Sequence, residues 1–117
     1  MRGINRVFIL GRLGHIPELK KTANGMSYTD LSIATHRPTR KGDIWEEKTD
    51  WHQVRTWENH AELCVRMLSK GSPLAIEGQL RTDSWLDSTG EKQFKTYIMG
   101  DRVHFLPTIK AVDPESA

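Results

Sequence analysis

Trp51-His52-Gln53-Val54-Arg55-Thr56-Trp57, followed one residue later by Asn59-His60-Ala61-Glu62-Leu63-Cys64-Val65-Arg66-Met67-Leu68, is the stretch that decides the fold. The first part reads as a strand, with Trp51, Gln53, Arg55 and Trp57 on one face because side chains alternate with a period of two. The second part changes period. Ala61, Cys64, Val65 and Leu68 recur at helical spacing, Asn59 is a candidate cap and Gly71 suits the C′ position, which predicts a helix over residues 59–70 of about three turns. No other segment has a convincing helical period, so the remaining elements must be strands arranged around this one junction.

Working outward, residues 6–14 form a mostly apolar strand with Gly11 as a bulge or bend, and residues 18–22 can extend it. Asn24-Gly25 is a hairpin turn, and residues 28–35 alternate as a second strand. Residues 36–48 turn polar and basic around Gly42-Asp43 with Trp45 near the tip, which predicts a protruding hairpin or a flexible loop. After the helix, residues 73–85 alternate as a strand with a second bend at Gly78, Asp87-Ser88-Thr89-Gly90 is a turn, and residues 93–106 form the last strand. Five strands, one short helix between the third and fourth, and glycine bends in long strands predict an all-β, five-stranded OB-fold barrel. A single domain over residues 1–107 and a short tail over 108–117 follow from the loss of periodicity after Pro107.

Composition bounds the function. The chain has 117 residues and a formal charge of +2, which permits an anionic partner without demanding one. Cys64 is the single cysteine, so neither an intramolecular disulfide nor a thiolate zinc cluster is possible within one chain, and a reducing, cytoplasmic location is expected. No signal-peptide pattern opens the sequence and no segment is long enough to span a membrane. The five histidines, His15, His36, His52, His60 and His104, lack zinc-motif spacing, so no metal and no cofactor is expected. Cys64, on the apolar helical face, reads as structural rather than nucleophilic, and no constellation for catalysis is present.

The face of the third strand carries two indoles flanking a guanidinium. Two readings stand side by side: a surface on which unpaired bases stack while phosphates meet cations, or large aromatics buried in packing with an arginine stem laid across them. Two features of residues 36–48 are equally open. Arg40 and Lys41 read as a solvated turn or a phosphate clamp, and Trp45 as part of a loop cluster or a further stacking platform.

Asn5-Arg6-Val7-Phe8-Ile9-Leu10-Gly11-Arg12-Leu13-Gly14 with Pro17-Glu18, then Leu31-Ser32-Ile33-Ala34-Thr35, Asp50-Trp51-His52-Gln53-Val54, Leu68-Ser69-Lys70-Gly71-Ser72 and Ile76-Glu77-Gly78-Gln79-Leu80-Arg81-Thr82-Asp83-Ser84-Trp85 resemble, in order, the bacterial and organellar single-stranded-DNA-binding proteins. The resemblance implies sequence-tolerant, non-catalytic binding and protection of single-stranded DNA in replication, recombination and repair. It assigns base stacking to Trp51, Trp57 and Trp85, backbone contacts to Arg6, Arg55 and Arg81, and weaker contacts to Lys20, Lys21 and Lys70. It further implies a homotetramer whose first strands pair between subunits, with Val7 and Ile9 at that contact and His52 near another, and a nucleoid-associated location. Three departures are visible: His36-Arg37-Pro38-Thr39 lacks a tryptophan common in the family, Asp83-Ser84 replaces residues that are commonly basic, and the acidic, hydrophobic-tipped tail that recruits replication and repair proteins is missing. Two rivals share the fold: a dimeric accessory of a replication-restart complex and an RNA-binding module.

Overall fold

The computed structural model describes residues 1–107, and the tail expected over 108–117 lies outside the described residues. The elements run β1 (Val7–Leu13), β2 (Lys20–Lys21), β3 (Ser27–Lys41), β4 (Ile44–Trp57), α1 (Glu58–Met67), β5 (Pro73–Leu86) and β6 (Lys92–Phe105). The strands lie in the order β1-β5-β6-β4-β3-β2, and β1 also pairs with β3, which closes the sheet into a barrel of five long strands with the two-residue β2 attached to β3. Helix α1 joins the third and fourth barrel strands, β4 and β5, as the sequence predicted for an OB-fold. Every pairing is antiparallel except β4 with β6, where Val54 opposes Ile98 and Arg55 opposes Met99.

Closure depends on two glycines. Strand β1 follows β5 from the Val7–Gly78 pair to the Arg12–Pro73 pair, and crosses to β3 at Arg12–Ala34 and Leu13–Ile33. At that crossing a Cβ on Gly11 would lie 2.2 Å from the Ala34 carbonyl oxygen, so only glycine lets the backbones approach. Gly78 plays the same part where β5 slips register against β6: a Cβ there would meet the Met99 carbonyl oxygen at 2.1 Å.

Inside the barrel, Ile9, Leu13, Leu31, Ile33, Val54, Leu74, Ile76 and Ile98 form one contiguous core, and Ala61 and Cys64 of α1 are buried with it. Burial pushes the Cys64 thiol up to about 11, with the Thr56 hydroxyl as the opposing influence, which keeps the sulfur protonated and inert.

The helix is shorter than residues 59–70 and its caps differ from expectation. Trp57 occupies the N-cap position without a side-chain cap, because β4 runs straight into α1 and the reversal falls on Glu58, at φ 53. That left-handed conformation is held by the Glu58 carboxylate, which accepts the Ser27 N–H at 2.9 Å. At the other end Leu68 is already extended, turning its side chain into the core. Gly71, at φ 88, serves instead the turn whose N–H bonds to the Leu13 carbonyl at 2.7 Å.

Strand β1 alternates between the interior and the outer surface at the positions expected near a subunit contact. Ile9 is buried and the partly buried Val7 packs against the core, while alternation exposes Phe8 (69 %) and Leu10 (63 %).

Gly11→Ala is expected to destabilise the fold by about 1–3 kcal/mol, since carbonyl backbone cannot yield as a side chain does. Urea denaturation measures it, and unchanged stability would show that the crossing is looser than described.

Candidate nucleic-acid interface

The turn at Gly42-Asp43 sets the site. Gly42 takes φ 65, which permits a two-residue connection, and from the Lys41–Ile44 pair the β3–β4 ladder runs unbroken to Tyr28–Trp57. Of the two forms expected for residues 36–48, the protruding hairpin is the one found, as a regular two-stranded arm. Its register puts Tyr28 opposite Trp57, Asp30 opposite Arg55, Ser32 opposite Gln53, Ala34 opposite Trp51 and Arg40 opposite Trp45.

Arg55 is the hub of this face. Its guanidinium carbon lies 4.5 Å from the Tyr28 ring centroid, 5.8 Å from Trp57 and 5.7 Å from Tyr97. Tyr28 and Trp57 themselves contact at 5.3 Å with planes tilted by 41°. The same guanidinium donates to both Asp30 oxygens, from Nε at 2.7 Å and from Nη2 at 3.0 Å. This pairing raises the Arg55 pKa above its ordinary value, with burial opposing.

Trp51 has a seat that small residues provide. Ala34 stands opposite it, and its ring lies where a Cβ on Gly14 would be, 2.4 Å from Cζ3. The indole therefore rests on bare backbone and remains 55 % exposed. His15 fixes the adjoining backbone, accepting the Ser32 N–H at Nε2 over 3.1 Å.

Strands β5 and β6 supply the opposite wall. Arg81 pairs with Tyr97, Asp83 with Lys95 and Trp85 with Gln93. Asp30, Gln53, Arg55, Asp83, Lys95 and Tyr97 line one groove. Burial, then the charge and hydrogen bond of Asp83, raise the Tyr97 pKa above that of an ordinary phenol. Trp85, 48 % exposed, rides on an arm whose tip is tied by Asp87: Oδ1 accepts the Thr89 N–H and hydroxyl and the Glu91 N–H, while Oδ2 accepts Gln93 Nε2. The Thr89 hydroxyl bond is the main cause of a lowered Asp87 pKa.

The remaining expected residues are scattered and, in several cases, already engaged. Arg6 meets Asp101 at 3.4 Å, Lys20 meets Asp30 at 3.9 Å, and Arg40 meets Asp43 at 3.6 Å while lying 5.7 Å from the Trp45 ring centroid. Lys21 flanks Lys20 in β2, Lys41 is at the tip of the arm, and Lys70 lies in the Ser69–Ser72 turn. His52 faces away from Trp51 and shares a 2.8 Å hydrogen bond with Thr35 Oγ1. Among the described residues no group of three or more His, Cys, Asp or Glu side chains converges as a metal site. Sequence reading missed Tyr28, Asp30, Tyr97, Lys95 and Gly14; for the first two the two-residue turn was a usable signal, since it dictates which residues oppose Trp57 and Arg55.

A closed five-stranded barrel with one helix between its third and fourth strands, carrying an aromatic, arginine-centred groove between two hairpin arms, defines the molecule as an OB-fold protein. Comparison with known proteins narrows this. The chain belongs to the Single-strand binding protein family, whose sequence profile matches residues 4–106. It is 39 % identical over 101 residues to single-stranded DNA-binding protein 1 of Chlorobaculum tepidum, covering 84 % of this chain and 62 % of that one. It is 36 % identical over 107 residues to the single-stranded DNA-binding protein of Xylella fastidiosa, covering 90 % of this chain and 65 % of that one. The chain thus spans less than two thirds of the length of these relatives. A structure of Plasmodium falciparum SSB in complex with ssDNA superposes with a TM-score of 0.76 at 26 % identity, over 92 % of this chain and 98 % of that chain.

Gly14→Ala is expected to push the Trp51 indole off its seat with a smaller loss of stability than Gly11→Ala, because a side chain rather than backbone must move. Near-ultraviolet circular dichroism and tryptophan emission should both change; spectra matching the parent protein would mean the ring does not rest there.

Proposed function

We propose that this chain binds single-stranded DNA with little sequence preference, laying unpaired bases on Trp51, Trp57 and Trp85 and their phosphates along Arg81 and Lys95. The observation that carries this reading is the aromatic cage of Tyr28, Trp57 and Tyr97 around Arg55, next to a half-exposed Trp51. An apolar core has no use for such a face, whereas bases of any sequence have a π-face to offer it, each stacked base contributing roughly 1–3 kcal/mol. Trp45 with Arg40 extends the platform along the β3–β4 arm.

Binding is passive: preference for unpaired strands shifts the duplex equilibrium toward the open form and covers the bases, as replication, recombination and repair require. Because Arg6, Lys20, Arg40 and Arg55 each have a carboxylate within 4.0 Å, stacking outweighs phosphate pairing, and the salt dependence is shallower than the number of cations suggests. Assembly into a homotetramer places Phe8 and Leu10 at the contact between first strands, where they border an apolar groove with Ala75 and Ile76.

Titration with oligo-dT should quench tryptophan fluorescence to saturation, survive moderate salt, and be far weaker with duplex. Trp85→Ala should weaken binding by roughly five- to a hundredfold at unchanged melting temperature. Little quenching in the parent protein, or full affinity in the folded variant, would overturn the stacking reading.

A further inference from the structure

We infer that Asp30 is a built-in competitor of phosphate, which holds the Arg55 guanidinium and thereby limits how tightly this face binds a single strand. The inference rests on the reading of the face as the single-strand surface.

Asp30 is not the only group that holds Arg55: three aromatic rings lie around the guanidinium, the nearest being Tyr28 with its centroid at 4.5 Å. What Asp30 adds is charge and occupancy. Its two oxygens take Nε and Nη2, one of the edges that a phosphate would take in bidentate fashion. A phosphate must displace the carboxylate, or bind the remaining donors against the repulsion of a like charge. Both partners remain accessible, with side chains 27 % exposed for Arg55 and 37 % for Asp30, so exchange requires no opening of the core.

The same carboxylate reaches Lys20 Nζ at 3.9 Å, so it draws on two cations of one face. Around it stand His15 and Glu18 on one side and Asp83, Lys95 and Tyr97 on the other. Across the groove Asp83 adds a second carboxylate, in register with Lys95 and beside Tyr97, so the floor of the site carries negative charge between the rings. Such a floor favours contact through bases and penalises contact through backbone.

The test is a titration of the intact protein with labelled oligo-dT over a series of salt concentrations, using the parent, Asp30→Asn, Arg55→Gln and the double variant. Asn keeps the shape of Asp and can still accept one bond from Arg55. Asp30→Asn should tighten binding about three- to tenfold at moderate salt and steepen the log K against log salt slope by about 0.7 for one freed cation. That gain should vanish when Arg55→Gln is added. Equal or weaker binding by folded Asp30→Asn, or a gain that persists without Arg55, would overturn the inference while leaving single-strand binding intact. Failure of the parent protein to bind would instead overturn the reading on which it rests. Asp30→Ser provides a second carboxylate-free variant, and the same increase must appear in it.

Discussion

The register of one hairpin governs both the interior of this protein and its outer face. From the two-residue turn at Gly42-Asp43 the β3–β4 ladder fixes Leu31 against Val54 and Thr29 against Thr56 in the interior, and Tyr28 against Trp57 and Asp30 against Arg55 outside. Since side chains alternate, a slip of one residue would turn the valine outward and the guanidinium into the core. Burying an unpaired arginine is far more costly than exposing a valine, so the core locks the register, and the register assembles the site. The aromatic face around Arg55 is in this sense a consequence of core packing.

The two glycines of barrel closure and the glycine beneath Trp51 show a second constraint, that of close approach. Gly11 and Gly78 let backbone meet backbone, which bends long strands around a small core. Gly14 lets an indole meet backbone, leaving one face of the ring free. Charge is handled in the opposite spirit: Arg55, Lys20, Arg40 and Arg6 each have a carboxylate within 4.0 Å. With a formal charge of only +2, the protein is poorly suited to hold a polyanion by attraction alone, so the proposed binding of a single strand rests largely on the rings.

Much of this was legible in the sequence, for physical reasons that differ by element. The alternation of residues 51–57 and the period change after it depend on local geometry, so the strand, the helix and the barrel class could be read directly. The helix ends could not, because Leu68 leaves the helix to reach the core and Glu58 adopts φ 53 against its own preference, both decisions of tertiary contact. That Trp51, Arg55 and Trp57 share one face was visible from one strand alone. Its partners Tyr28 and Tyr97 come from other strands, and Asp30, whose bond to Arg55 changes what that arginine can do, looked like an ordinary strand residue. The family resemblance placed Val7 and Ile9 at a subunit contact, whereas the pleat turns Ile9 inward and sends Phe8 and Leu10 out.

The central claim is that one face, and not the rest of the barrel, receives the single strand. Two-dimensional amide and indole NMR during titration with oligo-dT tests it most directly. The account predicts that the indole signals of Trp51, Trp57 and Trp85 and the amides of the strands around Arg55 shift together and saturate, while those of Phe8, Leu10 and α1 hold still. Shifts concentrated on β1 or α1, with the three indoles unmoved, would contradict it.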